Sequence, residues 1–325
     1  MSLRRRAGLA LALSLTASLA VHPAPARATF VGATLEASES ASVSGDPGCA
    51  KPTFTGSRPG SVAVPADGRA RVVTLDRTGR AATSTLRAAG TIRGWAARNT
   101  WGTHRVSVSA VVAVSAKPSA ATICSVSLEA TGAVFAEARG VRKSWLVVRS
   151  TGSSRGGAAV APIIGIQRMP SSFSILVAPG RSVTRLVPAG DYAVGGRLTP
   201  RVVAAARTTT GQSASASVSG TVSLLPVGTL RSRTGRGLAY VTVGHRSCGT
   251  NSTYAYLSSA ARSKAKRITF YVDGQRRGVL QGRALQRSAL LVTGIAPRGT
   301  GEVQAVVRLK SGAKRTMRAI SWPCA

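Results

Sequence analysis

The chain has 325 residues, with 44 Lys and Arg against 10 Asp and Glu, for a formal charge of +34. Hydrophobic residues make up 44% of it and aromatics only 4%. That is too apolar for a disordered chain, and it leaves Val, Ala, Leu and Ile to build small β-branched cores that suit thin sandwiches better than helical bundles.

The first element is a leader. Arg4-Arg5-Arg6 precede an uncharged apolar run from Ala7 to Val21, and Ala26-Arg27-Ala28 is a small-x-small cleavage site. This is the layout of a secretory signal peptide over residues 1–28, with cleavage expected before Thr29. The leader holds four Arg and no acid, so the remaining 297 residues carry 40 bases against 10 acids, a net +30. No later stretch reaches the roughly 18 apolar residues that a membrane helix needs. The expected location is secreted or extracellular, loosely associated with the cell envelope.

Period-two alternation dominates from there on. From Arg105 to Val114 the residues Val106, Val108, Val112 and Val114 share a face. From Ala214 to Leu224 the alternation is complete: Ala214, Ala216, Val218, Gly220, Val222 and Leu224 against Ser215, Ser217, Ser219, Thr221 and Ser223. One buried face and one wet face predict antiparallel strands. Pro59-Gly60, Asp67-Gly68, Pro179-Gly180 and Pro188-Ala189-Gly190-Asp191 punctuate them as turns. A faint repeat sets Ala97–Gly102 and the strand after it against Ala206–Gly211 and its strand, 109 to 110 residues on. It predicts two related β-sandwich domains, 29–130 and 131–225, a linker over 226–237, and a last domain over 238–325. The fold class is all-β, with two or three antiparallel sandwiches.

Cys49, Cys124, Cys248 and Cys324 are spaced 75 and 76 apart within these domains. An even count in a secreted chain predicts disulfides, Cys49–Cys124 and Cys248–Cys324. Zinc wants close cysteine pairs, and no two here are neighbours.

In the last domain Arg267 to Val272 predicts a strand, Asp273-Gly274 a type I′ hairpin turn, and Gln275 to Leu280 the return strand. Glu302 to Lys310 alternates, Ser311-Gly312 turns, and Lys314 to Trp322 comes back. Ser258 to Arg262 predicts a single helical turn. The stretch Lys266–Gly274, the stretch Val307–Thr316 and the two flanking cysteines together resemble the immunoglobulin-like domains of secreted bacterial proteins, over about residues 240–325. The resemblance implies a β-sandwich and no activity, since such modules mostly act as spacers, adhesins or binding accessories.

Candidate chemistry is thin. His104 has no carboxylate near it in sequence, and His245-Arg246-Ser247-Cys248 sets a histidine beside a cysteine that a disulfide uses better. After Glu137 the acids are Asp191, Asp273 and Glu302, with Asp191 and Asp273 in turns, so facing carboxylates for glycoside hydrolysis are not expected. Clustered oxygen ligands for calcium and a Gly-rich phosphate loop are missing from the sequence. No catalytic residue, cofactor or metal site is expected. Trp95, Trp101, Tyr254 and Tyr256 are candidates for stacking on sugars but read better as core anchors. Asn251-Ser252-Thr253 is a glycosylation sequon.

Charge is the outlier. Arg-rich composition explains Arg outnumbering Lys but not the shortage of acids, and a chain this basic binds polyanions at least non-specifically. From Thr229 to Ala325 there are 18 bases and two acids. Arg262, Lys264, Lys266, Arg267, Arg276, Arg277, Lys310, Lys314, Arg315 and Arg318 are the candidate polyanion-binding residues, expected to gather on adjacent hairpins. The bland alternative is a solvated surface without a partner. The expected role is a non-enzymatic extracellular or cell-envelope binding or structural module. The alternative is a protein for anionic envelope polymers or other polyanions, and an unrecognised enzyme comes third.

Overall fold

The computed structural model describes residues 33–45, 49–57, 60–98, 103–140, 142–156, 160–171 and 173–325. The leader, its cleavage site and Trp101 lie outside the described residues.

The first unit is built from two facing antiparallel sheets. One runs in the order β10 (Ser174–Val177), β9 (Val160–Met169), β12 (Gly190–Thr199), β7 (Ser125–Gly140), β1 (Ala33–Ser44), β3 (Gly60–Val64), with β13 (Arg201–Ala204) also on β7. The other runs β11 (Ser182–Val187), β8 (Ser144–Arg155), β14 (Gln212–Pro226), β6 (His104–Pro118), β5 (Ser84–Arg98), β4 (Arg71–Ala81), β2 (Thr53–Ser57). The alternation read in β6 and β14 holds: Val106, Val108, Val112, Val114, Ala214, Ala216, Val218, Val222 and Leu224 all point into the core. That core is one cluster, running from Ala33 to Leu224.

This corrects the expected division of residues 29–225. Residues 130 and 131 lie in the middle of β7, which pairs with β1 on one side and β12 on the other. The echoing strands β6 and β14 are not equivalents in two domains but partners in one sheet, with Ser109 opposite Ser219. A strand that hides one face needs a second sheet over it, and each half of the chain supplies part of both sheets.

Small residues let the sheets approach. Gly94 on β5 faces Leu35 on β1, where a Cβ would sit 2.8 Å from Leu35 Cδ2. Inside the sandwich Arg77 Nε reaches Glu39 Oε1 at 2.8 Å, joining the two sheets where both side chains are largely shielded from water. Arg77 also donates to the Gly56 carbonyl and lies 5.7 Å from the Phe54 ring centre.

The second unit has its own core around Phe270. Its larger sheet runs β15 (Leu230–Thr234), β22 (Lys314–Ser321), β21 (Glu302–Leu309), β18 (Ala265–Val272), β19 (Gln275–Gln281). Its smaller sheet runs β16 (Val241–Val243), β17 (Thr253–Leu257), β20 (Ala289–Val292). Counted from β16, strands 1-2-5 face strands 4-3-6-7. An immunoglobulin constant domain pairs 1-2-5-4 against 3-6-7; here the fourth strand lies in the other sheet, and β15 adds a further strand beside β22. Asp273 and Gly274 both take positive φ, 47° and 81°, as the type I′ turn requires. The helical turn is α1 (Ser259–Lys264), capped by Ser258, whose hydroxyl accepts from the Ala261 N–H.

The expected linker over 226–237 is mostly structure. β15 joins the edge of the larger sheet beside β22, and a 3₁₀ turn follows at Arg236–Ala239. The connection itself is a turn at Val227-Gly228, and it is braced. Val227 N–H donates to the Lys143 carbonyl, and Trp145 Nε1 donates to the Pro323 carbonyl at 2.9 Å. The Trp145 and Trp322 rings stack at 5.6 Å, with the Arg231 guanidinium 5.0 Å from the centre of the Trp322 ring. Both expected disulfides are present, Cys49–Cys124 and Cys248–Cys324.

Arg246 is the largest fully buried side chain, 1% exposed. It donates to Asn251 Oδ1 and to the carbonyls of Ile295, Ala296 and Gly299. Burial weakens its hold on the proton, and the Asp273 charge works the other way. These bonds tie the β16–β17 loop to the 295–299 loop. They also occupy the side-chain carbonyl of Asn251, the first residue of the sequon. Arg246→Met removes a charge-assisted network and strands its acceptors, so it should destabilise the second unit by about 3 kcal/mol. A urea titration reads this, and an unchanged midpoint would show that the network contributes nothing.

Candidate polyanion-binding surfaces

The ten expected residues of the second unit do not form one patch. Five gather at one end of the larger sheet. Arg267 on β18 stands directly opposite Arg308 on β21, which stands opposite Lys314 on β22. The Lys310 N–H donates to the Lys264 carbonyl, bringing that lysine to the same end, with Lys266 next to Arg267. Directly opposed like charges cost stability in an antiparallel sheet, so this row works against the fold. Arg308 was missed as a candidate. Its signal was its place between the inward-facing Val307 and Leu309.

The rest lie elsewhere. Arg315 stands opposite Val307, on the core-facing set. Arg276 and Arg318 stand at the far end, separated by Tyr271 and Gln304, and Arg318 is paired with Glu302. Arg277 donates to Gln275 Oε1 and Arg262 to the Leu257 carbonyl. Asp273 and Glu302, the two acids of this unit, share that far end, where the Glu302 N–H donates to Asp273 Oδ1.

A broader basic surface is on the first unit, where no candidate was placed. The outward positions of β8, β14, β6, β5 and β4 form a flat face. β14 supplies Ser213, Ser215, Ser217, Ser219 and Thr221; β6 supplies Ser107, Ser109, Val111, Ala113 and Ser115. Above these short side chains stand Arg80 on β4, Arg87 and Arg93 on β5, Arg105 and Lys117 on β6, and Arg149 and Arg155 on β8, all exposed. Asp76 is the one carboxylate at those outward positions among the described residues, 3.8 Å from Arg87 in an exposed pair worth little. The opposite face of the sandwich is mixed: Glu36, Glu129, Glu137 and Asp191 stand among Arg139, Arg197 and Arg201. The sandwich is therefore polarised, with its excess positive charge on one sheet. Trp95 is half-buried on the basic face, between Arg93 and Ala97 along β5.

Of the other candidates, the histidines and Cys248 take up packing roles, whereas Tyr254 and Tyr256 are not the core anchors expected. His104 is buried at the start of β6, and burial first, then the Arg98 charge, pushes its pKa down from the ordinary 6.5. His245 Nδ1 accepts from the Leu230 N–H at 3.0 Å, and burial lowers its pKa too, with Arg233 adding to the effect. Cys248 is held in its disulfide. Tyr254 and Tyr256 point outward from β17, about half exposed, with ring centres 6.3 Å apart. Among the described residues no group of three His, Cys, Asp or Glu could hold a metal, and no helix is long and apolar enough to cross a membrane.

No known protein family and no curated protein matches the chain. Among solved structures it is similar to the adhesin domain of Epf from Streptococcus pyogenes. That match has 10% identity over 79% of this chain and 93% of the other, with a TM-score of 0.18. It is also similar to a β-1,2-glucanase from Parabacteroides distasonis, at 12% identity over 88% of this chain and 37% of the other, again with a TM-score of 0.18. Likeness this distant assigns no activity.

The two histidines set a pH dependence. Each has a folded pKa below its unfolded value, so their full contribution to stability is present above pH 6.5. As pH falls below that value the unfolded chain binds protons that the folded chain refuses, and stability is lost. The melting temperature should drop between pH 7.5 and 5, and His104→Gln should flatten that drop. A melting temperature that rises on acidification would contradict the assignment.

Proposed function

We propose that this chain is an exported, non-enzymatic binding module that holds anionic polymers of the cell envelope or its surroundings. The observation that carries the reading is the flat face of six guanidiniums over short, mostly hydroxyl side chains on the first unit. Its geometry suits an extended partner: a flat floor lets a polymer lie across the strands, and guanidinium forks bind carboxylate, sulfate or phosphate bidentately. The charge row at Arg267, Arg308 and Lys314 supports it as a second contact on the same chain.

Export is supported by the leader motif and by the two disulfides, which persist in oxidising compartments. A non-enzymatic role is supported by the packing engagements of His104 and His245 and by the disulfide on Cys248. The second unit, close to an immunoglobulin-like arrangement, fits a spacer or accessory that the Trp145–Trp322 stack holds against the binding sandwich.

Retention on a sulfated-polysaccharide column tests this. The full chain without its leader should bind at low salt and elute steeply as salt rises, because each contact releases a counterion. The triple variant Arg93→Gln, Arg105→Gln, Arg149→Gln should elute at clearly lower salt with an unchanged melting temperature, since exposed charges contribute little to stability. Equal elution of the triple variant and the parent would make the face a solvated surface.

A further inference from the structure

Within the basic face, one place is a shaped groove rather than a flat sheet. Its volume is about 500 Å³, and Arg87 and Arg155 stand at its two sides. The strand register explains it. One row across the sheet reads Arg155, Ser215, Ala113, Ala89. The neighbouring row reads Ser213, Ser115, Arg87. The floor is therefore Ala and Ser, and the long side chains stand only at opposite corners, three strand spacings across and one row along, their backbones about 16 Å apart.

A backbone feature shapes the end of the groove. Gly156 follows Arg155 at φ 66°, and a Cβ there would run into the Ser213 carbonyl. This close approach pins the end of β8 against β14 and sets Arg155 at the rim. Arg155 has no carboxylate partner among the described residues, and Arg87 has only its loose contact with Asp76. Both guanidiniums are thus available to a ligand.

We propose that this groove binds an acidic oligosaccharide, with uronate carboxylates on Arg87 and Arg155 and sugar hydroxyls on Ser115, Ser213 and Ser215. The inference rests on the polyanion reading above and names the ligand class for one part of that face. The spacing of the two arginines exceeds one sugar ring, so the ligand is a disaccharide unit or longer. The floor carries hydroxyls and no aromatic ring, which disfavours nucleic acid, whose bases need stacking platforms. Both arginines take a carboxylate bidentately, an arrangement that Lys does not reproduce.

Titration calorimetry on the full chain without its leader tests this, with a galacturonate tetrasaccharide, neutral cellotetraose and a twelve-nucleotide single-stranded DNA as probes. The tetragalacturonate should bind and the neutral sugar should not. Arg87→Gln with Arg155→Gln should weaken tetragalacturonate at least about tenfold. Arg155→Lys should weaken it as well, although it keeps the charge. Gly156→Ala should weaken it while leaving both guanidiniums in the chain. Circular dichroism of every variant should match the parent, and the Arg93, Arg105 and Arg149 triple variant should still bind the tetrasaccharide. If tetragalacturonate fails to bind while the column still retains the protein, the groove assignment is overturned and the wider face stands. If the DNA binds as tightly and depends equally on Arg87 and Arg155, the saccharide assignment is overturned. If nothing anionic binds in either experiment, the polyanion reading itself fails.

Discussion

The structure depends on the pairing of β6 with β14. Thirteen consecutive partners, from Gln212 with Ala116 to Leu224 with His104, join strands about a hundred residues apart in sequence. That ladder is flanked by β5 on one side and β8 on the other, so it sits at the centre of its sheet. Between its end pairs its inward residues are Ala, Val and Gly, thin enough for the opposite sheet to close over them. Apart from Arg105, its outward residues are Ser, Thr, Ala and Val, which keep the surface flat. The same alternation that builds the core therefore builds the face on which the arginines stand. A one-residue slip would exchange the two sets, exposing valines and burying serines, so the core holds the register of the face.

The local signals were legible in the chain. The alternation of β14 and β6, the Asp273-Gly274 turn, the capped turn at Ser258 and the two disulfides all follow from short stretches or simple spacing. What was not legible was which strand meets which. Alternation reports that a strand has a wet face, but nothing in Ser215-x-Ser217 says that Arg155 lies beside it, because that depends on β8 arriving from elsewhere. For the same reason Arg87 and Arg155, 68 residues apart, showed no relation. The expected seam at 130 failed because the faint repeat suggested two separate cores while the strands of both halves share one. The linker at 226–237 failed because its Gly, Arg and Thr composition resembles a loop, yet β15 gains backbone partners on β22. The expected patch in the second unit counted charges along the sequence, and strand parity divided them between two faces and two ends.

Polar groups inside the molecule follow a consistent pattern. Arg77 meets Glu39 between the sheets, Arg246 is met by carbonyls, and His245 accepts a backbone N–H. Each of these joins segments distant in sequence where an all-apolar contact would specify less. On the basic face the balance differs, since Asp76, loosely paired with Arg87, is the one carboxylate there among the described residues.

The most direct test is whether the first unit is one body made from both halves of the chain. Residues 29–130 expressed alone would lack β7 beyond its first turns, together with β8, β12 and β14, and so would leave β1 and β6 without their central partners. The account predicts a fragment without cooperative thermal unfolding and with rapid amide exchange throughout β6, while residues 29–226 unfold in a single cooperative transition. A folded, cooperative fragment of residues 29–130 would contradict it, because the basic face would then not be a joint product of the two halves.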